Sequence, residues 1–138
     1  MSVLRVECRT LVEGEAEGEA LVSTEPISFY GGVDPETGVV VERGHPLEGE
    51  CVAGRVLFFP HGKGSTVGSY VIYRLWKRGL APAAVVNVRS EPIIIVGCVL
   101  ASIPLVDMFP QRLLATVRSG SSVRVIARGR KALVVVEL

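Results

Sequence analysis

A strand-rich mixed α and β domain, layered β/β/α or barrel-like rather than a doubly wound sheet, is what this sequence predicts. Three observations carry that reading. About seven short runs rich in Val, Ile and Leu recur between turn residues. Only one segment, from Val67 onward, shows a firm helical period. Aromatic residues make up 6% of a chain that is 49% apolar, so aliphatic side chains must build the core. The 138 residues fit a single domain, 1–138, large enough to bury one real core.

Taken in order, "VLRVEC" at residues 3 to 8 reads as a strand. "EGEAEGEALVST" is acidic and glycine-spaced, with a strand signal at its end. "FYGGVDPETG" is a turn, because Asp34-Pro35 starts one and Gly38 can close it. "VVVE" is expected to be a strand, and so is "RVLFF", which Pro60 stops. The helix follows. Val67, Val71 and Leu75 fall four apart, and Ile72 and Trp76 repeat the step beside them. Ser65 or Thr66 is expected to cap its start through a side-chain oxygen. Lys77 and Arg78 suit its negative end, and Gly79 its stop. "PAAVVNV" is a buried strand. The run "EPIIIVGCVLASIPLV" stays open between strand and short buried helix, because periodicity cannot decide for continuous apolar residues. "VDMFPQRLLATVRSG" suggests a helical turn around Pro110 and then a loop. "SSVRVIARGRKALVVVEL" reads as a hairpin turning at "RGRK".

Charge and composition exclude several classes. Fifteen basic and fourteen acidic residues leave a net charge of +1, which provides no basic footprint for nucleic acid. The apolar run bounded by Pro92 is interrupted at Pro104 and is too short to span a membrane. The start, "MSVLRVECRT", is charged and strand-like rather than a secretory leader, so a soluble cytoplasmic protein is expected. Cys8, Cys51 and Cys98 are odd in number and far apart, which fits neither a zinc site nor a disulfide framework. A near-neutral, apolar chain of this kind tends to hide surface against a partner.

The chemistry concentrates in "PHGKGSTVGSY". It is not a nucleotide-binding P-loop, since Leu57 stands where the first glycine is needed and Gly64 where Ser or Thr should follow the lysine. The ingredients still favour an anion. Gly62 and Gly64 permit a tight loop with exposed backbone, Lys63 adds a full charge, and the following helix aims amides and dipole at the same place. Ser65 would sit in that positive field. An ordinary helix start remains the competing reading.

In order and spacing, "FYGGVDPETG", "GHPLEG", "PHGKGSTVGSYVIYRL" and "SEPIIIVG" resemble the aconitase X swivel-domain family, the small subunits of archaeal phosphomevalonate dehydratase, over about residues 3 to 136. The resemblance implies a swivelling β/β/α domain like the swivel domain of aconitase. It implies a separate large catalytic subunit that carries an iron–sulfur cluster and most substrate contacts. It implies dehydration of (R)-5-phosphomevalonate to trans-anhydromevalonate 5-phosphate, in the mevalonate route to isoprenoids. The family's base is a serine in the G-[KR]-G-S loop, which falls on Ser65. Iron must come from the partner, because this chain has no metal-binding constellation.

Physical chemistry supports Ser65 as a base for the proton beside the substrate carboxylate. Its alkoxide is too costly in water, but a helix N-terminus and a nearby lysine stabilise it. Lys63 and the amides of Gly64 and Thr66 either lower that cost or hold the carboxylate. The expected substrate-binding set is Gly62, Lys63, Gly64 and Thr66, with Gly31, Gly32 and Asp34 as a second loop at the mouth. His61 and His45 are exposed or structural histidines on the simplest reading. Ser69 would face the site or solvent, and Arg89 with Glu91 would form a bridge. Two other functions stay open: a hydro-lyase subunit for another hydroxy acid such as a hydroxyproline, and a non-catalytic anion-binding module.

Overall fold

Alternation of apolar and polar residues gives the outer strands one buried face. In the computed structural model, which describes residues 2–138, Val123, Val125 and Ala127 point inward from β6 (Ser122–Arg128). Ala132, Val134 and Val136 do the same from β7 (Lys131–Glu137). These two strands form the expected hairpin, paired from Val123↔Val136 to Arg128↔Lys131. β1 (Val3–Val12) and β2 (Gly14–Val22) flank it, pairing antiparallel with β7 and β6.

The short strands β3 (Val56–Phe59), β4 (Ala84–Asn87) and β5 (Leu105–Asp107) are buried on both faces. They run parallel to one another and to β2, as continuous apolar runs are suited to do. The sheet closes into a barrel in the order β1-β5-β4-β3-β2-β6-β7. Phe58 and Phe109 pack edge to face inside it at 5.4 Å between ring centroids. On its outer side Leu57, Phe59, Val85 and Leu105 meet Val71, Ile72 and Leu75 of α2 (Gly68–Lys77) and Ile94 and Cys98 of α3 (Pro92–Ala101). This is the β/β/α layering the sequence predicts. No helix among the described residues is long and apolar enough to cross a membrane.

Expectations are corrected at "VVVE" and at the start of α2, and the open run is resolved. "VVVE" is not a strand: Val39 and Val40 make only isolated bridges, to Cys51 and Val33, because no neighbouring strand continues the ladder there. The seventh strand is instead β5, inside the apolar run. The rest of that run, left open, is helix α3. Both Glu91 carboxylate oxygens accept its first amides, from Ile93 at 2.9 Å and Ile94 at 3.2 Å, and Pro92 opens it. The second correction concerns the start of α2. The helix begins at Gly68 with Val67 as N-cap and no side-chain cap, so neither Ser65 nor Thr66 caps it. The helical turn after Pro110 is a 3-10 helix, Gln111–Ala115.

Candidate active site

The loop between β3 and α2 is bound along one side to the segment after β2. Lys63 donates its amide to Ile27 O at 3.1 Å, and Ile27 donates to His61 O at 3.3 Å. The glycines of the loop have different reasons. Gly62 is buried, and a Cβ there would collide with Glu91 Oε1 and with Ile94, so its role is close packing against the start of α3. Gly64 has φ +88°, which favours glycine, and a Cβ would stand 2.5 Å from Ser28 Oγ.

Beyond Gly64 the loop opens to solvent, and Lys63, Gly64, Ser65 and Thr66 are all exposed. Ser65 Oγ accepts the amide of Val67 at 3.2 Å. The hydroxyl therefore receives a backbone N–H just before the helix instead of capping the helix itself. Among the described residues, the amides of Gly64, Ser65 and Thr66 donate to no protein acceptor. Three successive open amides beside a lysine leave donors from which an anion can accept.

The glycine turn of residues 28–34 packs beside this loop. Gly68 approaches Phe29, and Ser28 Oγ, against Gly64, donates to Tyr30 O at 2.9 Å. α1 (Phe29–Gly32) is a single turn broken at Tyr30 and at Gly31, where φ is +82°. Gly31 and Asp34 line a groove of about 300 Å³ whose other wall is Val67, Tyr70 and Arg74. Asp34 itself holds a turn, its Oδ1 accepting the amide of Glu36 at 2.9 Å.

Other candidates have structural roles. Ser69 faces neither site nor solvent; it donates to Ile93 O at 2.6 Å and ties α2 to α3. Arg89 and Glu91 form no ion pair, because the Glu91 carboxylate is engaged by the α3 amides. His45 is buried, with Nδ1 accepting from Leu47 N and Nε2 against Pro26 O, both at 3.0 Å. His61 is exposed at the loop entrance, with Nδ1 at 2.8 Å from Gly62 O. The residue sequence reasoning missed is Glu42, whose Oε2 lies 3.1 Å from Lys63 Nζ. Nothing local in the sequence links these two positions.

Among the described residues no group of three or more His, Cys, Asp or Glu converges to hold a metal ion. Cys8 and Cys98 are buried in separate core clusters, and Cys51 is half-buried apart from both. Burial pushes Cys98 up to about 12; Cys8 rises to about 12 through burial first and then the charges of Asp107 and Glu7. Among the described residues the Cys, His, Asp and Glu side chains do not converge as an iron–sulfur cluster requires.

The chain has relatives among known proteins. The family model for the aconitase X swivel domain matches residues 5–135. The chain is 57% identical to the phosphomevalonate dehydratase small subunit of Methanothrix thermoacetophila, over 91% of this chain and 90% of that one. It is 51% identical to the protein of the same name from Methanococcoides burtonii, over 91% of each. Among solved structures, it resembles a chain of holo-form aconitase X from Thermococcus kodakaraensis with a TM-score of 0.88 and 43% identity, covering 95% of this chain and 98% of that one.

Proposed function

We propose, from the premise that this chain belongs to the aconitase X swivel-domain family, that it is the small subunit of a two-chain hydro-lyase. Its substrate is (R)-5-phosphomevalonate and its product trans-anhydromevalonate 5-phosphate. The relatives named above are called small subunits, which supports a large-subunit partner. The iron–sulfur cluster is assigned to that partner, since among the described residues of this chain the donors do not converge as it requires.

The observation that carries the reading is the environment of Ser65 Oγ. It is open to solvent and already receives the Val67 amide at 3.2 Å. To take the proton from C2, beside the substrate carboxylate, Ser65 must first release its own hydroxyl proton to solvent, which leaves negative charge on Oγ until the new O–H bond forms. The Val67 N–H and the positive end of α2 stabilise that charge without rearranging. Lys63 and the open amides of Gly64 and Thr66 hold the carboxylate, so that C2 is presented to Oγ. Gly31 and Asp34 line the groove beside the loop, and Gly32 is buried behind them. Departure of the C3 hydroxyl is the large subunit's part.

The partner is proposed to rest on the apolar rim beside this loop. Tyr30, Val41, Val67 and Tyr70 are 55%, 48%, 47% and 59% exposed and surround the groove. Aromatic anchors next to a site that lacks its other half are what such an interface needs. Tyr70→Asp is expected to weaken co-purification with the large subunit by about tenfold or more, and an unchanged affinity would remove the rim from the interface. The function itself is tested by an anaerobic dehydration assay on 5-phosphomevalonate with both chains. Turnover is expected only with the two together. Phosphate binding by this chain alone, with turnover independent of it, would instead favour the non-catalytic module.

A further inference from the structure

We infer that Glu42 is a positioning residue for Lys63, an inference that rests on the reading of the Lys63–Ser65 loop as the substrate site. The Lys63 backbone is tied to Ile27, but its ammonium is carried on a flexible four-carbon stem that samples many rotamers. The Glu42 carboxylate holds it at 3.1 Å. Of the three ammonium donors, this contact takes one and leaves two for a substrate oxygen.

The segment that carries the carboxylate is itself held. Val41 donates to Gly32 O at 2.8 Å and His45 donates to Glu42 O at 3.2 Å, which fixes the backbone on both sides. A Cβ on Gly32 would stand 3.2 Å from Glu42 Oε1, a tight contact, so the carboxylate lies close against the glycine turn. Glu42, on a segment tied to the glycine turn through Val41, thus meets Lys63.

Two arguments separate positioning from plain stabilisation. The pair is 45% and 31% exposed, and such pairs add little to folding stability. A negative charge beside a site for an anionic substrate also opposes binding. Its benefit must lie in the geometry of the lysine, so its removal should reduce turnover and not affinity.

The test uses the two-subunit enzyme with Glu42→Gln, Lys63→Ala, the double variant and Ser65→Ala. Glu42→Gln is expected to lower kcat by about ten- to hundredfold, with KM unchanged or lower and the melting temperature unchanged. In the Lys63→Ala background, Glu42→Gln should cause no further loss. A kcat within twofold of wild type for Glu42→Gln overturns the inference. So does an equal loss with and without Lys63, because Glu42 would then act independently of it. If Ser65→Ala is inactive while Glu42→Gln is normal, only the positioning role falls. If Ser65→Ala turns over like wild type, the site reading falls and takes the inference with it.

Discussion

Ser65→Ala, assembled with the large subunit, is expected to lose about two to four orders of magnitude in kcat, the range that removal of a positioned general base produces. Assembly and substrate affinity should change little. The side chain is exposed and makes one hydrogen bond, to the Val67 amide, so stability should fall by no more than about 1 kcal/mol. That contrast between rate and stability separates a base from a loop-forming serine. If Ser65 merely shaped the turn, the loss would appear as a lower melting temperature with kcat nearly intact.

The largest expected effect on folding is at Asp107. This carboxylate is buried at the end of β5 and accepts Arg9 Nε at 2.8 Å and the terminal nitrogen of the same guanidinium at 2.7 Å. It also accepts the amide of Ser90 at 3.1 Å. Ser90 Oγ in turn donates to Asn87 Oδ1, and Asn87 Nδ2 to Phe59 O. This buried network fixes the turn that delivers Glu91 to the head of α3. Asp107→Ala is expected to cost about 3 kcal/mol, because it strands the Ser90 amide and breaks a two-pronged Arg contact. Half-exposed Arg9 recovers some hydration, which keeps the cost from being larger. Asp107→Asn, which keeps one acceptor, should lose about half as much. Urea unfolding of this chain measures both. A change below about 0.5 kcal/mol in the alanine variant, the scale of an ordinary surface substitution, would show that the network is not needed for stability.

The elements that the sequence made legible are those whose signal is local. Val71, Ile72 and Leu75 carry α2 on one stripe, and they are buried as that stripe requires. The last hairpin is visible because Val123, Val125, Val134 and Val136 alternate with outward residues on either side of a turn. The errors arise where partners decide. Residues 39–42 have ideal strand composition, yet no strand lies alongside to complete a ladder. Three-residue β5 is hidden in a run whose first part is helical, and what sets the helix is Glu91 and Pro92 rather than the apolar residues after them. Arg89 and Glu91 looked like a pair, but nearby amides compete better for the carboxylate than a flexible arginine does.

The candidate site divides in the same way. Gly64, Ser65 and their helix are contiguous, so the loop could be read from one stretch of chain. The packing reason for Gly62 lies in α3. Glu42 reaches Lys63 only because the turn after Gly32 folds back, a contact that no periodicity reports.

Transfer of the C2 hydrogen can be followed directly. With 5-phosphomevalonate deuterated at C2 and the assembled enzyme, the wild-type chain should release deuterium to solvent during a single turnover. Ser65→Ala should bind the same substrate and retain the label. Release at the wild-type rate by the alanine variant would mean that another group takes the proton, and the serine would be only a part of the loop.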